Sequence, residues 1–194
     1  MWSPRDVQVE TVVKVGGSLV SAIEHLDAVL AVVAQAARAR RLLIVPGGGP
    51  FADAVRAVDR QIGLPDDAAH WMAVLAMDQY AYLIVARMPA AVIVDDQRGI
   101  ARALDAGRIP VLAPSRWLRD ADPLPHSWDV TSDSLAAWVA SSVGARRVVL
   151  VKPPGLRRPD DAVDPYFARA LCVGVEATAV AADQIDALRS ALSM

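Results

Sequence analysis

At 194 residues and 54% apolar composition, the chain is long enough and apolar enough to bury a sizeable core, which excludes intrinsic disorder and fits one domain or two small ones. A formal net charge of −2 without a basic block gives no support to nucleic-acid binding. A single cysteine, Cys172, excludes an intrachain disulfide framework and suits a reducing cytosol.

The opening segment MWSPRDVQVE has no apolar signal core and carries acidic residues where a targeting signal needs basic ones, so a cytoplasmic protein is expected. The apolar stretches are interrupted by Arg, Asp and Gln and are too short and polar to span a bilayer. Apolar, β-branched runs then recur at 9–15, 41–45, 90–94, 109–113, 147–151 and 177–181. Runs of this kind suit the centre of a parallel sheet covered on both faces. Helical candidates lie between them at 21–40, 51–62, 66–88, 97–106, 132–143 and 183–192. The alternation predicts an α/β fold, a three-layer αβα sandwich around a mainly parallel sheet. Ligands in such sheets sit beyond the carboxyl ends of the strands, so the residues after each strand carry the information.

After the first strand comes Lys14-Val15-Gly16-Gly17-Ser18, and Lys14 is one of two lysines beside 18 arginines. A compact ammonium kept where arginine is the habit hints that a point charge is needed there. Glycines without Cβ let backbone N–H groups approach an anion, helped by the helix that follows. The second strand leads into Gly47-Gly48-Gly49-Pro50-Phe51 and another helix. Neither stretch matches GxxxxGK[ST] or GxGxxG, and each alone reads equally as a tight strand-to-helix turn. Further on, Thr131 or Ser132 suits a helix N-cap, with Asp133 in the first turn. There Asp133 either complements the helix dipole or orients a lysine such as Lys14 toward a phosphate. The strand at 147–151 ends on the second lysine, Lys152, and KPPGLRRPDDAVDP (152–165) reads as an irregular surface segment. No His or Cys spacing suggests a structural metal.

The ordered set KVGGSL, VPGGGPFAD and VTSDSLA resembles the amino-acid-kinase superfamily over about residues 9 to 151. His126-Ser127-Trp128 ahead of Thr131-Ser132-Asp133, with Phe51, Arg56, His70 and Asp78, is most similar to its branch acting on an aminomethylfuran phosphate in methanofuran biosynthesis. The resemblance implies an ATP-dependent kinase whose Mg2+ arrives with the nucleotide and whose acceptor is a small phosphorylated metabolite. Lys14 and Lys152 would face the transferred phosphoryl group, with Asp133 organising them. Gly16, Gly17, Ser18, Thr131 and Ser132 would hold nucleotide phosphates. Gly47, Gly48, Gly49, Phe51, Arg56, His70, His126 and Trp128 would meet the acceptor. It also implies a homodimer or higher homo-oligomer, with an acceptor and phosphate part at about 9–145 and a shortened nucleotide part at about 146–194.

The chain departs from that pattern at Lys152-Pro153-Pro154-Gly155, where such sequences carry an acidic Thr-Asp-x-x-Gly turn. Arg157 and Arg158 could add charge there. The departure keeps a second reading open, a non-catalytic relative that binds a phosphorylated metabolite as sensor, carrier or assembly component. A dinucleotide-dependent dehydrogenase is disfavoured, because its glycine fingerprint and ribose-binding acid are missing.

Overall fold

The computed structural model describes residues 9–193, so the N-terminal segment read above for targeting signals lies largely outside it. Among the described residues, six strands form one parallel sheet: β1 (Thr11–Val15), β2 (Leu42–Pro46), β3 (Ala91–Val94), β4 (Ile109–Leu112), β5 (Arg147–Lys152) and β6 (Glu176–Ala181). Their order across the sheet is β3-β4-β2-β1-β5-β6, which puts β1 between β2 and β5. Every residue of β1 and β2 is buried, as continuous apolar runs in a doubly covered sheet require.

Among the described residues, eight α-helices cover the sheet: α1 (Ile23–Ala36), α2 (Gly49–Ile62), α3 (Asp66–Arg87), α4 (Gln97–Asp105), α5 (Ser115–Ala121), α6 (Ser132–Ser142), α7 (Phe167–Ala170) and α8 (Ile185–Ser193). Strand side chains alternate between faces, and two cores follow from that period. Val13, Val15, Ile44, Val149 and Val151 pack with Leu26 and Val33 of α1, Tyr80 and Ile84 of α3, and Leu188 of α8. Val12, Leu43, Val45, Val148 and Leu150 face the other way, onto Ile100 of α4, Leu118 of α5 and Leu135 and Val139 of α6.

The same alternation sets up the site. Lys14 lies in register with Leu150 on the neighbouring strand, so Lys152, two residues further on, shares its face of the sheet. That is the face covered by α6, whose first turn carries Asp133. The sequence-based expectations missed α5 and α7 and treated 152–165 as surface. Instead β5 runs through Lys152, Pro159 and Asp164 are buried, and a 3-10 turn spans Pro159–Ala162.

Candidate active site

Two glycine-rich turns meet at the carboxyl ends of β1 and β2. The first passes through Gly16 into a 3-10 turn (Gly17–Ser21), and the second passes through Gly47 and Gly48 into α2. A Cβ on Gly17 would lie 2.0 Å from the Gly49 backbone nitrogen, and one on Gly47 would lie 2.6 Å from that of Gly17. Gly49 itself sits at φ +55°. Two backbones this close leave no room for side chains, so the glycines join the two turns into one surface. Gly16 is held from both sides: its N–H donates to the Val151 carbonyl at 3.0 Å, and its carbonyl accepts from the buried Tyr80 hydroxyl at 3.2 Å.

Both lysines of the chain converge on one carboxylate beside this surface. Lys14 Nζ lies 2.9 Å from Asp133 Oδ1, and Lys152 Nζ donates to Asp133 Oδ2 at 2.5 Å and to the Ala162 carbonyl at 2.7 Å. All three side chains are buried, at 6%, 4% and 4% residue exposure for Lys14, Lys152 and Asp133. The Lys14 contact is an ion pair by distance without hydrogen-bond geometry, since Asp133 Oδ1 accepts no hydrogen bond. Burial favours the neutral acid at Asp133, but Lys14 and Lys152 outweigh it and hold the carboxyl below its ordinary pKa. Burial and the neighbouring Lys14 ammonium lower the pKa of Lys152 against the pull of Asp133.

Asp133 is held in place by the start of α6. Thr131 is the N-cap, and its hydroxyl accepts from the Asp133 N–H at 3.3 Å. Asp164, which sequence reading did not single out, accepts from the Thr131 N–H at 3.0 Å, the Thr131 hydroxyl at 2.7 Å, the Ser134 N–H at 3.0 Å and the Ser134 hydroxyl.

A cavity of about 500 Å³ opens in front of the lysines. Lys14, Gly16, Gly17, Ser18, Gly48, Gly49, Arg56, His70, Trp128, Thr131, Ser132, Asp133 and Lys152 all line it. Gly47, Phe51 and His126 do not: Gly47 donates to the Val15 carbonyl, Phe51 packs against the core under α1 and α3, and His126 stands behind His70. Asp78 instead accepts from the Ser115 N–H and hydroxyl at the start of α5, and Arg157 and Arg158 are exposed away from the cavity.

The cavity wall opposite α6 is built from α2, α3 and the loop 122–131. Trp128 Nε1 donates to Asp59 at 2.7 Å, and the Arg56 guanidinium stacks 4.7 Å above the Trp128 ring. His126 bridges Asp67 at 2.6 Å and Asp122 at 2.8 Å while its ring stacks on His70 at 3.9 Å. Burial, then the neighbouring His126, push the His70 pKa down to about 4. Burial opposes the charge on His126, yet the bonds to Asp67 and Asp122 win and raise its pKa. Among the described residues, no group of three or more His, Cys, Asp or Glu is placed to hold a metal ion. No described helix is long and apolar enough to cross a membrane.

Comparison with known proteins gives this geometry a context. Residues 10–153 match the model of the amino acid kinase family. The chain is 30% identical over 139 residues to the [5-(aminomethyl)furan-3-yl]methyl phosphate kinase of Methanocaldococcus jannaschii, covering 72% of this chain and 63% of that protein. Its fold is similar to the uridylate kinase of Archaeoglobus fulgidus, with a TM-score of 0.58, 18% identity and coverage of 74% of this chain and 64% of the other. It is also similar to the UMP kinase of Ureaplasma parvum, with a TM-score of 0.57, 14% identity and coverage of 76% and 70%. The chain thus spans less than two thirds of the length of the curated relative.

Proposed function

The chain belongs to the amino acid kinase family, and on that premise we propose that it is an ATP-dependent phosphotransferase acting on a small phosphorylated metabolite. The observation that carries this reading is the convergence of both lysines on Asp133, beside the fused glycine turns and at the mouth of one cavity. Phosphoryl transfer asks little covalent chemistry of a protein, mainly positioning and compensation of negative charge spread over the moving group. Lys14 supplies a compact charge whose protons can reach that group, and Lys152 adds a second, while Asp133 keeps the pair charged and spaced. The first N–H groups of a helical turn find no acceptor within it. Those of Gly17 and Ser18 are suited to nucleotide phosphates, with Thr131 and Ser132 facing them across the cavity. Mg2+ would enter on those phosphates and neutralise part of their charge.

A phosphomonoester acceptor is already ionised near neutral pH, with a second pKa of about 6. One of its oxygens forms a bond to the γ-phosphorus as the bond from that phosphorus to the β,γ-bridging oxygen breaks. The electron pair leaves with ADP, and no proton need be removed by a general base. Arg56 and the rim of Gly48 and Gly49 are placed to hold the acceptor phosphate, with Trp128 and His70 as its aromatic walls. An aminomethylfuran phosphate, the substrate in the name of the archaeal relative, suits these features. Its ring would meet Trp128, and its ammonium would meet Asp53, Asp66 or Asp122, which also line the cavity. We read residues of about 9–145 as the acceptor and phosphate part and about 146–194 as contributing to nucleotide binding. The protein is read as cytoplasmic and homo-oligomeric, a reading supported by exposed Met72, Leu75 and Tyr82 on α3 and checked by light scattering.

The test is thermal unfolding with and without Mg-ATP, followed by ADP release with a panel of small phosphomonoesters that includes the aminomethylfuran phosphate. ATP at a hundred times its dissociation constant stabilises by about 2.7 kcal/mol, or roughly 5–10 °C in Tm. Lys14→Ala should lower turnover on the order of a hundredfold to a thousandfold while acceptor affinity changes far less. A Tm indifferent to every nucleotide, with metabolite binding retained, would instead identify a non-catalytic binder.

A further inference from the structure

The segment after β5 lies beyond the residues that match the family model, yet it is bonded into the site at two points. The Ala162 carbonyl accepts from Lys152 Nζ, and two residues later the Asp164 carboxylate receives the start of α6. Asp164 is 8% exposed. It accepts from Thr131 and Ser134 through both backbone and hydroxyl, and from the Tyr166 N–H at 3.1 Å. A carboxylate offers about four lone-pair sites, so Asp164 is fully used inside the protein and has none left for a ligand. Nearby, Asp160 accepts from the Ala179 N–H at 3.1 Å, which ties the same segment to β6.

We propose that Asp164 is a positioning residue for the Lys14–Asp133–Lys152 group: through α6 it sets the Asp133 carboxylate, and through the Ala162 turn it sets the Lys152 ammonium. The two halves of the site are thus fixed from one point. Asp133 occupies the second helical position of α6, one residue before Ser134, whose N–H and hydroxyl both end on Asp164. A helix start released from that carboxylate can fray, and Asp133 would then drift relative to both lysines. The Ala162 carbonyl is held at the same time, because the turn that ends at Ala162 stands only two residues before the anchored Asp164. Asp164 also acts on Lys152 through space: Lys14 and burial depress the Lys152 pKa, and the carboxylates of Asp133 and Asp164 oppose them.

The experiment exploits the lysine count. The 194-residue chain labelled with 13Cε-lysine gives two side-chain signals, both from the site, assigned with Lys14→Arg. Asp164→Asn keeps the side-chain volume but removes the charge and offers N–H groups to Thr131 and Ser134, which are already donors. Both lysine signals should move, and the titration midpoint of Lys152 should fall below that of the parent protein. Ile84→Val, a core substitution on the other face of the sheet, should leave both signals and the midpoint in place. The kinetic arm rests on the phosphotransferase reading: Asp164→Asn should lower kcat on the order of a hundredfold with KM for the nucleotide little changed. Parent protein inactive with every acceptor, but showing the lysine shifts in Asp164→Asn, would remove the kinase reading and leave the positioning role standing. Lysine signals and midpoint unmoved in a folded Asp164→Asn would overturn the proposal whatever the activity. Should that variant not fold, Ser134→Ala removes the one hydroxyl bond to Asp164 while keeping the backbone bond, and decides it: the signals shift in the same direction, or the proposal fails.

Discussion

Asp133 is a single negative charge between two positive ones, 4% exposed in the wall of the cavity. Breaking a buried ion pair from one side costs about 3–5 kcal/mol, because the remaining charge keeps its desolvation penalty. Asp133→Asn should therefore destabilise the protein by about that much in urea denaturation at neutral pH. The deficit has a sign in pH. In the variant, Lys152 loses the carboxylate that opposes the lowering of its pKa, so the unfolded chain binds more protons than the folded one. Stability should recover as pH rises toward the ordinary lysine pKa, and a deficit that widens on alkalinisation would contradict this. Gly17→Ala tests the fused turns in the same way. Its Cβ would meet the Gly49 backbone, which has no flexible end to swing aside, so a loss of about 1–3 kcal/mol or more is expected. Nucleotide stabilisation should fall with it.

Between elements, the most telling contact is that of the loop 122–131 with the first turns of α3. His126 fastens it by gripping Asp122 on one side and Asp67 on the other, with 16% of its side chain exposed. Its raised pKa contributes stability that is fully present below the unfolded value near 6.5 and is lost as pH rises through the folded value. His70 works in the opposite direction. With its folded pKa near 4, it is neutral in the fold, and stability falls as pH drops from about 6.5 toward 4. His126→Gln should flatten the loss of Tm on raising pH through neutrality, and His70→Gln should flatten the loss on acidification. The same sign for both variants would show that the stack does not titrate as described. This is also the scale at which the sequence was most and least legible. The six strands could be read because buried parallel strands are continuous β-branched runs, and the two lysines could be placed because each ends such a run. Two short helices escaped: α7 has four residues, and α5 has seven, too few for a period to show. Asp164 escaped for another reason. Pro, Arg and Asp around it have the composition of a surface loop, and its partners lie 30 or more residues back in the chain. Phe51 was drawn toward the acceptor by its neighbours in sequence, but α2 turns it into the core.

Across the whole molecule, the cationic surface is made of guanidinium groups. Arg40 pairs with Glu10, Arg87 with Asp27 and Arg116 with Asp95, exposed contacts that solvent and salt screen. The two ammonium groups are inside, and that has a practical corollary. A lysine-specific endoprotease has two possible targets in this sequence, the bonds that follow Lys14 and Lys152. The first lies in the strand between β2 and β5, buried at every residue, and the second follows a lysine 4% exposed at the end of β5, itself between β1 and β6. No local fraying exposes a central strand of a parallel sheet, so scission there samples only the globally open chain. Digestion should proceed at a rate set by the unfolding equilibrium, and any ligand that binds the native state should slow it by the factor 1 + [L]/Kd. The protein thus carries a gauge of its own stability, located at the two residues on which its proposed chemistry depends.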